Sequence, residues 1–118
     1  MKLTTGTTFW AKANEPRPRY PRLRRNARCD VAIVGAGITG ALLAHQLVQA
    51  GLKVVVTDKR AAGTGSTSAS TALLLYETDA SLAELARLHG IKCATRVYTL
   101  GRRAIREIGA IARSTGED

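Results

Sequence analysis

The order in which three kinds of segment follow one another between positions 31 and 58 constrains this chain more than any other feature. Val31, Ala32, Ile33 and Val34 form a short, uncharged, largely β-branched run, the composition of a strand buried on both faces of a parallel sheet. Glycines then fall at 35, 37 and 40. From Ile38 to Ala50 the apolar residues Ala41, Leu42, Ala44, Leu47 and Val48 recur at spacings of three and four, the period of one helix face. Gly51 stands where a helix C-terminus favours glycine. Residues 53–57 (KVVVT) give a second strand of the buried type, closed by Asp58. Strand, helix and strand in so short a span make a compact βαβ crossover, which joins its strands in parallel.

Each glycine has a separate task in such a unit. Gly35 permits a tight turn off the strand, Gly37 lets the backbone approach a diphosphate with no side chain between, and Gly40 lets the helix pack close to the strand. The helix opening near Ile38 offers unpaired N–H groups and the positive end of its dipole to an anion. Asp58 falls at the tip of the second strand, where a carboxylate accepts hydrogen bonds from ribose hydroxyls. Three glycines at this spacing are weak testimony alone; with both strands, Gly51 and Asp58 in place they read as an adenine-dinucleotide site, a pattern that NAD and FAD share. Lys59 and Arg60 read as solvated charges rather than a 2′-phosphate site, because Asp58 would repel that phosphate. Lys59 stays among the cofactor-side residues through its position beside Asp58.

The 118 residues suit one small domain, and the expected division is an arm at 1–28 followed by the α/β part at 29–118. The net charge of +9 is concentrated in the arm. Lys2, Lys12, Arg17, Arg19, Arg22, Arg24, Arg25 and Arg28 stand there against Glu15 alone. With Pro16, Pro18 and Pro21 also present, the arm is expected to be extended and to lie on the surface, Phe9 and Trp10 being its large apolar anchor. The prolines also interrupt the amphipathic helix of a mitochondrial presequence. Tyr20 is the only aromatic within the basic stretch and no nucleic-acid motif follows it, so a solvated arm is favoured over a nucleic-acid interface.

Cys29 and Cys93 lie in no CxxC or Cys/His spacing, so no metal site is expected and a reducing cytoplasm is the default location. No stretch has the apolar length of a membrane-spanning helix. His45 and His89 read as helix-face or capping residues. Residues 61–71 (AAGTGSTSAST) have the composition of a loop or linker. Ser81 and Glu84 form a capping-box pattern ahead of a short helix closed by His89 and Gly90. From Ile91 the apolar stripe of a long amphipathic helix runs to about Thr115 and Gly116.

The run CDVAIVGAGITGALLAHQLVQAGLKVVVTDKR, followed by GTGSTSASTALL, resembles the N-terminus of the FAD-dependent oxidoreductases related to D-amino-acid oxidase, glycine oxidase and sarcosine oxidase. The resemblance covers about residues 29–75, with weaker similarity through FW and YPRL before it and the long helix after. It implies an α/β fold: the N-terminal βαβ unit of a Rossmann-like FAD-binding domain followed by helices. By position, it implies that Gly35, Ala36, Gly37, Ile38, Thr39 and Gly40 line the diphosphate and that Asp58 meets the ribose. Gly65, Ser66, Thr67 and Ser70 then return on the second phosphate side, which gives residues 61–71 a place as well as a composition. No histidine occurs between Gly63 and Leu75, so the FAD is expected to be non-covalent.

The activity implied is oxidation of the C–N bond of an amine or amino acid. The resemblance implies that enzymes of this family share similarity over roughly three times this span, their further strands and substrate walls lying downstream. The Rossmann-like part is therefore expected to be incomplete, the chain alone inactive, and a completing segment or subunit to be needed. No catalytic residue is assigned. The alternative reading is a non-catalytic adenine-dinucleotide-binding module or subunit.

Overall fold

A computed structural model describes residues 6–13 and 18–116, arranged in two compact units that divide after Thr71. Lys2, Glu15, Pro16 and Arg17 of the basic arm lie outside the described residues.

The first unit contains α1 (Phe9–Ala13), β1 (Val31–Val34), α2 (Ile38–Gln49), β2 (Val54–Thr57) and α3 (Ser66–Ala69). β1 and β2 pair in parallel with Val31 opposite Val54 and Val34 opposite Thr57. The ladder is extended at both ends, by Asp30 N–H donating to the Lys53 carbonyl at 2.9 Å and Gly35 N–H to the Thr57 carbonyl at 2.7 Å. The Asp30 carboxylate also accepts the Lys53 N–H at 2.7 Å. The arrangement is a mixed α/β unit that matches one part of a Rossmann-like fold.

Pleating sends Ile33 toward α2, where it is buried, and leaves its neighbour Val34 90% exposed. The run 31–34 was expected to be covered on both faces. Among the described residues only one face is covered, because a single crossover helix packs on one side of a sheet.

The arm differs from the extended segment expected. Phe9–Ala13 forms one helical turn with Phe9 and Trp10 in T-shaped contact, ring centroids 4.9 Å apart. So short a helix does not stand alone in water. It packs on α3, and the Trp10 indole N–H donates to the Ser70 carbonyl at 3.0 Å. Residues 18–30 carry no helix or strand.

The second unit contains α4 (Leu82–His89) and α5 (Ile91–Thr115), which pack against each other. Ser81 Oγ accepts the Glu84 N–H at 3.2 Å and starts α4 where the sequence pattern places it. Gly90, with φ +82°, breaks the chain between the helices. Ala94, 1% exposed, forms the buried centre of this unit. Tyr98 donates its hydroxyl to the Ala80 carbonyl at 3.3 Å and meets Tyr76 edge-on. Among the described residues no helix is long and apolar enough to cross a membrane.

Candidate dinucleotide-binding site

The site is built around the turn from β1 into α2. Gly35 takes φ +117°, a conformation that side-chain-bearing residues rarely adopt. A Cβ placed on Gly40 would fall 1.9 Å from the Gly35 carbonyl oxygen and 3.4 Å from Ile33 Cγ2. Gly40 therefore sits directly beneath the turn, and its missing side chain is what lets α2 start there. Gly37 is extended, at φ −84° and ψ −175°, and is the N-cap of α2. Having no hydroxyl or carboxylate, it leaves the opening N–H groups of the helix to other acceptors.

One of those acceptors is Thr67. Its Oγ1 receives the Ile38 N–H at 3.0 Å and lies where a Cβ on Gly37 would point, at 3.0 Å. Gly63 N–H donates to the Ala36 carbonyl at 2.8 Å. The small-residue run 61–71 is thus folded back over the turn, with α3 at its centre, rather than being a free linker.

Asp58 closes the other side. Its Oδ2 accepts the Ala36 N–H at 2.8 Å and its Oδ1 the Arg60 N–H at 2.8 Å. These two backbone donors, Ala36 foremost, hold its carboxyl below the ordinary value of 3.8, aided by the charges of Arg60 and Lys59 and opposed by partial desolvation. The carboxylate keeps further lone pairs for a ligand hydroxyl. Arg60 is exposed, as expected of a solvated charge, and its guanidinium also lies beside the backbone of Gly65, where a Cβ would meet its Nη2 at 2.8 Å.

Two depressions flank the turn. One, of about 550 Å³, is lined by Gly35, Gly37, Ile38, Thr39 and Gly40 from the turn and by Ser66, Thr67 and Ser70 from the returning segment. The other, of about 430 Å³, is lined by Ala36, Val56, Asp58, Arg60 and Ala62 together with Tyr20, Pro21 and Leu23 of the arm. Of the residues expected at a cofactor, Lys59 and Gly65 line neither depression. The sequence reading takes Arg60 as a solvated charge and gives the arm residues Tyr20, Pro21 and Leu23 no place beside the turn, whereas all four line the second depression. Their available signal was an aromatic and a leucine within an otherwise basic stretch.

Both depressions fall within the size range of small-molecule sites. The space in front of Gly35 is open, since a Cβ there would meet nothing within 4 Å. Bare backbone, a helix start and hydroxyls from Ser66, Thr67 and Ser70 suit a diphosphate, and the Asp58 carboxylate suits a ribose. The residues present fit the adenosine-diphosphate half of FAD.

A parallel βαβ unit with a glycine turn and an acid at the tip of its second strand defines the class. The family model of FAD dependent oxidoreductases matches residues 30–118. The chain belongs to that family, and the family implies FAD as its cofactor. It is 33% identical over 104 residues to a Bacillus subtilis protein named as a Rieske 2Fe-2S iron-sulfur protein, YhfW, a match covering 88% of this chain and 20% of the relative. It is 28% identical over 106 residues to the gamma-glutamylputrescine oxidoreductase of Escherichia coli, covering 87% of this chain and 25% of that enzyme. The chain thus spans a fifth to a quarter of the length of these relatives. No solved structure matches it significantly.

Proposed function

We propose that this chain supplies the adenosine and diphosphate end of an FAD site in an oxidoreductase that oxidises the C–N bond of an amine or amino acid. The observation that carries the reading is the convergence of three separate segments on one turn: Gly35 to Gly40, Asp58, and Thr67. In this reading the N–H groups at the start of α2 and the hydroxyls of Ser66, Thr67 and Ser70 hold the diphosphate. Asp58 accepts from the ribose, and Lys59 adds positive charge at the strand tip. Bound FAD supplies the hydride acceptor; the residues named here bind and orient its non-reacting half. Oxidoreductase chemistry is supported by the family, and an amine substrate by the name of the E. coli relative, a gamma-glutamylputrescine oxidoreductase. The free Cys29 and Cys93 suit a reducing cytoplasm.

Titration calorimetry of the chain with FAD and ADP tests the reading. Both should bind, and Gly37→Val should abolish binding while helical circular dichroism persists, because the new side chain meets Thr67 and fills the diphosphate space. Retained affinity in that variant would overturn the assignment of the turn. With FAD in excess and no other chain, anaerobic glycine, sarcosine or D-alanine should leave the visible flavin absorbance unbleached. The uncovered sheet face around Val34 provides no enclosed, water-free wall for substrate.

A further inference from the structure

Resting on that reading of the turn, we propose that residues 20–23 of the N-terminal arm form the wall of the adenosine pocket, with Tyr20 and Leu23 holding the adenine ring against Val56 and Ala62. The 430 Å³ depression that contains Asp58 is the only one of the two beside the turn that arm residues line. Its surface is divided. The Asp58 carboxylate and Arg60 stand at the strand tip, whereas Tyr20, Pro21, Leu23, Val56 and Ala62 offer mainly apolar surface. A nucleoside has the same division, with a flat, weakly polar base at one end and two vicinal hydroxyls at the other. The hydroxyls donate to a carboxylate, and the base stacks on an aromatic ring or an aliphatic face.

Tyr20 and Leu23 are 73% and 62% exposed, large apolar groups left open beside this depression. A base laid between them and β2 would cover both. The arm is also tied to the unit at a second point, through Trp10 on α3. Arg19 and Arg22 flank Tyr20 and Pro21 in the sequence and make this part of the arm positively charged, which favours an anionic ligand such as a nucleoside diphosphate. A nucleic-acid strand fits less well, because the Asp58 carboxylate repels the phosphodiester that would have to follow each base.

The test is calorimetric titration of the chain and its Tyr20→Ala, Tyr20→Phe and Leu23→Ala variants with ADP, FAD, inorganic pyrophosphate and a single-stranded oligonucleotide. Tyr20→Ala should weaken ADP and FAD about tenfold, the scale of lost base stacking. Leu23→Ala should weaken them less, and Tyr20→Phe should restore affinity because it keeps the ring. Pyrophosphate affinity, which needs only the turn, should be the same in all four proteins. If Tyr20→Ala and Leu23→Ala leave ADP affinity unchanged while Gly37→Val abolishes it, the arm is not the wall, though the turn remains the dinucleotide site. If the wild-type chain binds neither ADP nor FAD, both readings fall together. Equal losses for pyrophosphate and ADP would show that Tyr20 acts by bracing the turn, and tighter binding of oligonucleotide than of ADP would make the arm a nucleic-acid surface. Either result overturns the proposal. Tyr20 is exposed enough for its truncation to spare the fold, which circular dichroism checks.

Discussion

In the βαβ unit the decisive contacts run through the backbone, whereas in the helical unit they run through side chains. The turn from β1 to α2 is held by Gly40 beneath the Gly35 carbonyl, by Gly63 N–H on the Ala36 carbonyl, and by Asp58 on two backbone N–H groups. In the α4–α5 unit the named contacts are a serine cap at the start of α4, the buried Ala94, a tyrosine hydroxyl on the Ala80 carbonyl and an exposed ion pair within α5. The difference shows where geometry is fixed for a ligand. Backbone presented at close range requires small residues and exact register, so the first unit has little tolerance where the second has much.

The largest effect should come from making one substitution in both units. Gly40→Ala forces a Cβ against the Gly35 carbonyl and should destabilise the chain by about 3 kcal/mol, the upper range for overpacking. Gly109→Ala in α5 meets only the Arg113 Nη1 at 3.5 Å and should stabilise by about 0.5–1 kcal/mol through helix propensity. Urea unfolding of the two variants reads the contrast directly, and shifts of the same sign would break it.

Asp58→Asn should come next, weakening ADP about tenfold, since the amide has one acceptor oxygen where the carboxylate uses two against backbone donors. Its acidity gives the pH dependence. Because the folded carboxyl lies below 3.8, its contribution to stability is present above that value and is lost as pH falls through the lowered pKa. Acid unfolding curves should therefore converge for wild type and Asp58→Asn at low pH and separate toward neutrality. A constant gap would remove the carboxylate from the brace.

Smaller effects belong to the helical unit. Ser81→Ala should cost about 1 kcal/mol in thermal unfolding through loss of the cap on Glu84 N–H. Arg103→Ala should change stability by less than about 0.5 kcal/mol, because the pair with Glu107 is solvent-exposed on both sides. A larger loss for Arg103 than for Ser81 would reverse the ranking of contacts within that unit.

Regular elements were legible wherever a continuous β-branched run or an unbroken period of 3.6 marked them. The bounds of β1, the start of α2, the cap at Ser81 and the full length of α5 follow from apolar spacing and glycine placement. The expected strand at 53–57 begins one residue later, at Val54, because Lys53 spends its N–H on the Asp30 side chain. α1 was not legible. Its five residues have no period of their own and exist as a helix through contact with α3, sixty positions away in sequence. Spacing placed Asp58 at the strand tip but could not tell that both of its oxygens grip the backbone. The return of Thr67 onto Ile38 was accessible through family resemblance, since a run of serine, threonine and alanine carries no signal of direction.

The Trp10 contact gives the molecule an optical signal of its own. The chain has a single tryptophan, and its indole N–H is bound to the carbonyl that follows α3. Emission excited selectively from tryptophan, at wavelengths the three tyrosines do not absorb, therefore originates at one place, beside the segment that folds over the glycine turn. Release of that segment would free the indole to water and shift the emission to the red, while an oxidised isoalloxazine nearby would absorb the same light and dim it.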